Sequence, residues 1–472
     1  MRKKGILSVL VCAMAVSFFA PASYGLVDAN DGDLKASGYF DSMNIWRTKN
    51  FDESPKWIQN RNTFQLEYND VLLKNQYGLD KLSLGGVFRA WYDGAYHYGD
   101  IDKPPTFSQH GKDGIYSEVE FREQYLDGDI GKFNFRVGRQ QVGWGKTDFF
   151  RLADIVNPLD YSRHFFYEDF RDWRIPLWMG KFLYRLGDVG PLADVNFELI
   201  VNPGDFKPTN YGVPGMPWSL VGPGFDQLPQ DLPPRWHLSS SQIGERVEFK
   251  TGLVWWALNH FYGYQQDPVL DFQTFHLKYP KKNTFGISFD YSNDLTGIVF
   301  RFESTYVPNK TMGIDSGRPV GLGLLSKYPS GLIEKDEVKY SIGIDRISWI
   351  KLLNPDQTFF LTAQLFMTHI LDYEDGLTND GVPALRSDPT VTVVAQTDYM
   401  HSRLKPQVFG LYKLHGDGIG FGANVEFLHT NHWSYKIGLN TLGVVHGRKS
   451  TFAGFGNQSD RDEFYARVRY AF

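Results

Sequence analysis

The chain ends on Glu463-Phe464-Tyr465-Ala466-Arg467-Val468-Arg469-Tyr470-Ala471-Phe472. In an extended strand side chains alternate between two faces. Phe464, Ala466, Val468, Tyr470 and Phe472 therefore share one face, and Tyr465, Arg467 and Arg469 share the other. The same split recurs in Phe133-Asn134-Phe135-Arg136-Val137, in Asp194-Val195-Asn196-Phe197-Glu198-Leu199 and in Phe285-Gly286-Ile287-Ser288-Phe289-Asp290-Tyr291. It returns in Phe421-Gly422-Ala423-Asn424-Val425-Glu426-Phe427. A single such strand suits a soluble sandwich, whose apolar face meets a second sheet. Many of them, ended by an aromatic residue, suit a closed sheet that presents its apolar face to lipid and its polar face to a lumen.

Composition agrees. Of 472 residues 16% are aromatic and 47 are Gly, both high for a soluble globular protein, while 22% are charged. A transmembrane barrel reconciles these values, because only alternate residues of each strand meet lipid. No break in composition divides the chain, so one large closed sheet is expected over residues 26–472.

At the N-terminus Arg2, Lys3 and Lys4 precede a short apolar run over 5–19, and Ala20, Ala22, Ser23 and Gly25 follow. This pattern predicts a signal peptide over 1–25, cleaved after Ala22 or Gly25. The apolar run is short for a spanning helix. Cys12, the only cysteine, lies inside it, and the large Val11 before it argues against a lipoprotein site. The mature chain is then free of cysteine, which excludes disulfides, thiolate metal sites and Cys nucleophiles. Loss of the three cations takes the formal charge from −5 to −8, which gives no reason to expect nucleic acid as a partner. Downstream, no stretch reaches ~18 apolar residues; a closed barrel still crosses a membrane, since closure pairs every backbone group.

Connections alternate in length. Short ones fall at 127–131, 187–191, 251–252, 292–295 and 431–432; long ones fall at 94–114, 143–176, 202–244, 308–335, 373–389 and 446–461. Outer-membrane barrels have short periplasmic turns and long outer loops. A literal count gives nineteen strands, which would put later long loops on the wrong side. Taking the stretch interrupted by Pro280-Lys281-Lys282-Asn283 as one strand with an outer extension gives about eighteen, with sixteen as the fallback.

Inward positions include Glu118, Glu120, Arg122, Asn134, Arg136, Asp194, Asn196, Glu198, Arg246, Glu248, Lys250, Arg301, Glu303, Arg467 and Arg469. Both signs occur, so pairing across strands is the plain expectation and the wall alone predicts no strong ion selectivity. The segment 143–176 differs. It is too long to be an ordinary connection and too rich in Trp144, Phe149, Phe150, Phe165, Phe166, Phe170 and Trp173 to be disordered. Its cations are Lys146, Arg151, Arg163, Arg171 and Arg174; its anions are Asp148, Asp154, Asp160, Glu168, Asp169 and Asp172. With Arg136, Arg467 and Arg469 these are the candidate pore-lining or constriction residues. The segment is expected either to fold inward and narrow the pore or to cap the rim, and Asn157-Pro158 to begin a turn.

The run Val137-Gly138-Arg139-Gln140-Gln141-Val142-Gly143-Trp144-Gly145-Lys146 resembles a proteobacterial outer-membrane family known only as a domain of unknown function, number thirteen-oh-two. Asp154-Ile155-Val156-Asn157-Pro158-Leu159-Asp160 and Arg174-Ile175-Pro176 extend the likeness. The chain is more loosely similar to alginate-export porins. The resemblance implies a large barrel and, in some members, a setting of lipid or hydrophobic-compound export; it carries no catalytic residues.

The loop 203–243 is rich in Pro and Gly, hence irregular backbone outside the sheet; it reads as a protective surface loop, with a binding loop or lid as the alternative. His164, His237, His260 and His432 are scattered, and no nucleophile elbow, zinc-binding His pair or P-loop appears, so no enzyme, cofactor or metal is expected. Strand pattern begins near Leu34, which leaves no room for a transporter's plug domain. The residues support best a porin-like outer-membrane channel for small solutes. A component of a lipid or hydrophobic-compound export system is second, and a closed structural or adhesive barrel third. Expected partners are outer-membrane lipid and lipopolysaccharide, the barrel assembly machinery through Phe472, and, in the second reading, an inner-membrane exporter.

Overall fold

The computed structural model describes residues 27–29, 33–49, 51–101, 114–164, 170–222, 224–293, 295–415, 418–444 and 461–472. The expected signal peptide lies outside them, as do Phe165, Phe166, Glu168 and Asp169.

Eighteen antiparallel strands form the wall. They are β1 (Leu34–Thr48), β2 (Lys56–Gln76), β3 (Leu79–Asp93), β4 (Ser117–Ile130), β5 (Phe133–Gln140), β6 (Leu177–Val189), β7 (Leu192–Asn202), β8 (Gln242–Thr251) and β9 (Val254–Tyr264). The second half comprises β10 (Lys281–Asn293), β11 (Ile298–Ile314), β12 (Ile333–Ser348), β13 (Phe359–Ile370), β14 (Ser387–Thr397), β15 (Leu404–Lys413), β16 (Gly418–Leu428), β17 (Trp433–Val444) and β18 (Asp462–Ala471). Each strand pairs with the next, and β18 returns to β1 in register from Tyr39 opposite Ala471 to Thr48 opposite Asp462. The sheet is therefore closed and has no free edge. No helix among the described residues is long and apolar enough to cross a membrane.

The parity argument holds at the pause near Pro280. His276–Lys278 pairs with Val269–Asp271 and with Gln230–Asp231 in a separate three-stranded sheet, so Lys281–Asn293 is a single wall strand. One loop is shorter than expected. β11 continues through Pro308 to Ile314, and β12 already begins at Ile333. Register slips between Val307 and Lys310, so Pro308 lies in a bulge where no ladder donor is needed.

Alternation sets the two faces. On β4, Val119 and Phe121 point outward while Glu118, Glu120 and Arg122 point inward; Val87 then pairs with Glu123 and Phe88 with Phe121. This bulge resets the parity, so Leu126 and Ile130 become the outward residues. Across β18, β1, β2, β3 and β4 an outward aromatic row runs Phe472, Phe40, Phe64, Phe88 and Phe121, with neighbouring ring centroids 4.8–6.1 Å apart. At the seam the Gly38 N–H donates to the Phe472 carbonyl and the Phe472 N–H to that of Gly38, both at 2.9 Å. A Cβ on Gly38 would lie 2.8 Å from the Phe472 ring and 2.2 Å from the Gln65 carbonyl oxygen. Only glycine fits beneath the terminal ring.

Candidate functional site: a segment folded against the inward face

The chain leaves β5 at Gln140, re-enters at Leu177, and in between makes contacts with inward-facing side chains around the barrel. Asn157, fully buried, ties the base. Its Oδ1 accepts from the Val142 N–H at 2.8 Å, and its Nδ2 donates to the carbonyls of Gln140 and Ile175. The Asn-Pro pair thus does more than begin a turn: it clamps the two ends of the segment together. Trp144, Val156, Leu177, Met179, Ile200 and Phe261 pack there as an apolar knot, and Trp144 donates to Glu198 of β7 at 2.6 Å.

From this base the chain reaches β10–β15. The Glu303 carboxylate on β11 accepts from the N–H groups of Lys146 and Ala153, both at 2.7 Å. Lys146 pairs with Asp290 of β10. Asp148 accepts from Arg301 at 2.7 Å and from Gln364 at 2.8 Å. Phe149 packs on Phe409 of β15, and Phe150 lies edge-on to Phe366 of β13.

The second half turns to β2–β4 and β18. Arg163 pairs with Glu118 and stacks over Trp91. His164 sits 2.8 Å from Glu463 of β18 and edge-on to Trp218. Arg89 of β3 donates to Asp172 at 2.5 Å. Arg122 of β4 donates to the carbonyls of Arg171, Asp172 and Arg174, closing the short helix Phe170–Trp173. Arg174 returns to Asp154 at 2.8 Å, and Arg151 meets the same carboxylate at 3.1 Å. The loop after β7 joins in: the Asn210 N–H donates to the Leu159 carbonyl, and the Tyr161 N–H to that of Asn210, both at 2.8 Å.

Four cavities border the segment. One of about 430 Å³ lies towards β9–β15 and takes in Arg151, Asp154, Lys282, Lys339 and Lys413. On the opposite side one of about 50 Å³ is lined by Arg61, Arg89, Arg163, Arg467 and Arg469 against Asp41, Asp160 and Asp172. It shares Tyr39, Arg89, Asp172 and Arg469 with one of about 120 Å³. That one shares Glu67, Val87, Glu123, Gln141 and Arg171 with a last one of about 470 Å³ that reaches Lys35, Arg136 and Arg174.

The candidate residues thus fall into groups rather than one ring. Asp160, Arg163, Asp172, Arg467 and Arg469 meet at the small cavity, where Asp41 accepts from Arg469 at 2.8 Å. Lys146 and Asp148 are bound to the far wall. Arg171 is well exposed, and Arg136 pairs with Asp127 at 2.6 Å and stacks on Tyr125. Sequence reasoning missed Arg61 and Arg89, each a lone arginine in an aromatic strand, and the cluster at the mouth. There Lys310, buried, meets Glu337 at 3.1 Å and Asp380 at 2.8 Å. Burial opposes ionisation of Asp380, but Lys310, Lys339 and Lys282 outweigh it and hold the carboxyl far below its ordinary range. Asp267 behaves in the opposite way: burial and then the neighbouring Asp380 push its carboxyl up, against a hydrogen bond from Tyr211.

Residues 50–472 match the family described as "Protein of unknown function (DUF1302)". No curated protein matches the chain. Among solved structures, Acinetobacter baumannii OccAB3 is similar over 93% of this chain and 99% of its own, at 8% identity and a TM-score of 0.51. Pseudomonas aeruginosa OccK8 (OprE) aligns over 93% and 98% at 11% identity, with a TM-score of 0.49. A variant of the Rh. blastica porin aligns over 93% and 100% at 11% identity, with a TM-score of 0.38. At 8% identity the likeness to OccAB3 concerns the fold alone, a porin-like β-barrel. With all but its first 49 residues matched, the chain belongs to the DUF1302 family of proteins of unknown function.

Proposed function

We propose that this protein is an outer-membrane channel for small solutes whose width and selectivity are set by the segment 143–176. The observation that carries the reading is the segment's attachment to inward-facing residues of β4, β7, β11, β13 and β18, with cavities left on both of its sides. Such a crossing narrows a polar-lined tube without filling it, and fixed charges at a narrow point govern which ions pass. Purified, folded protein in a planar bilayer is expected to carry current. Removal of residues 148–172 is expected to raise the single-channel conductance severalfold. Absence of current from the intact barrel sinks the channel reading, and unchanged conductance after the deletion sinks the role given to the segment.

A further inference from the structure

The cavity of about 430 Å³ has the size of a small-molecule site and two unlike faces. One is aromatic. Phe149 and Phe150 come from the segment, each braced from behind by a wall ring, Phe409 at 5.7 Å and Phe366 at 5.1 Å. The facing wall is charged, and most of its charge is spent internally: Lys339 pairs with Asp380 at 3.1 Å and Lys413 with Asp388 at 2.6 Å, while on the segment Arg151 pairs with Asp154. Lys282 on β10 is the exception: its ammonium feels Asp380 and Glu337 at longer range, but its side chain makes no hydrogen bond or close ion pair among the described residues. Two positions along the same inward face, Thr284 is 2% exposed and its hydroxyl has no partner. Buried polar groups are nearly always hydrogen-bonded, so the buried Thr284 hydroxyl without a partner, beside the half-buried Lys282 ammonium, marks a place for an acceptor. Asp267, the acid on this lining that is held by Tyr211, does not cancel the lysine, because burial and Asp380 favour its neutral form.

We infer that this cavity binds an amphipathic monoanion, a carboxylate or similar singly charged group on a ring-sized apolar body, with the anion at Lys282 and Thr284 and the body on Phe149 and Phe150. A charge-assisted pair supplies orientation, and the rings supply most of the buried apolar area. The inference rests on the channel reading only in regarding the ligand as a passenger; binding itself needs no current.

The test is isothermal titration of the folded protein in micelles, corrected for micelles alone, with 1-naphthoate as the ligand. One saturable site is expected. Lys282→Gln weakens it at least about tenfold while Lys282→Arg restores most of the affinity, and Thr284→Val weakens it by about threefold or more. Acetate, which lacks the apolar body, and 1-naphthalenemethanol, which lacks the charge, bind at least about tenfold more weakly. Absence of saturable naphthoate binding overturns the inference, and so does equal binding of the alcohol or of acetate. Unchanged affinity in both Lys282→Gln and Thr284→Val overturns it as well. A barrel that binds naphthoate but carries no current sinks the channel reading and leaves this site standing; one that conducts without binding does the reverse.

Discussion

The segment 143–176 is fastened to the two sides of the barrel by different chemistry. Towards β2–β4 and β18 the ties are cationic side chains: Arg89 to Asp172, Arg163 to Glu118, and Arg122 to three carbonyls in a row. The narrowest gap there, of about 50 Å³, has five arginines against three aspartates, and it runs on into cavities of about 120 and 470 Å³. Towards β9–β15 the main tie is one carboxylate, Glu303, gripping two backbone N–H groups, supported by the ion pairs Lys146–Asp290 and Asp148–Arg301 and by aromatic contacts. The space left there is a cavity of about 430 Å³, roomier than that gap and mixed in character. A narrow gap with an excess of cations and a cavity with an aromatic face thus lie on opposite sides of one inserted chain. A net charge at a narrow point concentrates potential, whereas the roomier cavity offers surface.

The largest effect is expected from breaking the attachment on the roomy side. Glu303→Ala leaves the N–H groups of Lys146 and Ala153 without their acceptor, which costs about 2–4 kcal/mol of folded stability. The midpoint of urea unfolding should fall accordingly. In the folded barrel, hydrogen exchange in residues 143–156 should become faster, and a segment as protected as before would mean that the ion pairs and aromatic contacts hold this side by themselves.

A smaller change separates the two sides electrically. Arg89→Gln removes one cation from the arginine-lined space and should raise the cation-to-anion permeability ratio roughly two- to threefold. Lys413→Gln, on the roomy side, should move the reversal potential less. Equal shifts from the two substitutions would abolish the distinction drawn between the sides.

The smallest effect concerns the outer loops above the roomy side. Glu374 accepts hydrogen bonds from Lys327, Lys335 and Tyr328, and these hold its carboxyl down at about 2. Because the folded value lies below the ordinary 4.5, this tie stabilises fully above about pH 4.5 and fades as pH falls through about 2. Glu374→Gln should therefore speed hydrogen exchange in residues 315–332 modestly near neutrality, and the difference from the natural chain should vanish by about pH 2. A difference that persists there would assign the order of these loops to packing instead.

How much of this is legible in the sequence depends on the range of the interaction. The wall is local: period-two alternation and a turn every ten residues or so yield the strand count and the orientation of β18 without knowledge of any contact. The bulges are less legible. A strict alternation through Arg122-Glu123 assigns the wrong face to everything after it, and Pro308 looks like the end of a ladder that in fact continues to Ile314. The segment's composition marks it as ordered, but its partners lie across the barrel. Glu303 and Lys146 are 157 positions apart, and no periodic signal links them. Lys282 was hidden for a different reason: beside Pro280 and Lys281 it looks like part of a solvated pause, and only the closed sheet shows that it faces inward.

The bond between His164 and Glu463 joins residues 299 positions apart and uses the penultimate residue pair of the β1–β18 seam. This imposes an order on assembly. Until the last ten residues arrive, β1 is an unpaired edge and the distal half of the inserted segment lacks its anchor on β18. The wall and one anchor of the inserted segment are therefore completed by the same event, so that an unfinished barrel is at once unsealed along its side and short of a tie that fixes the segment within it.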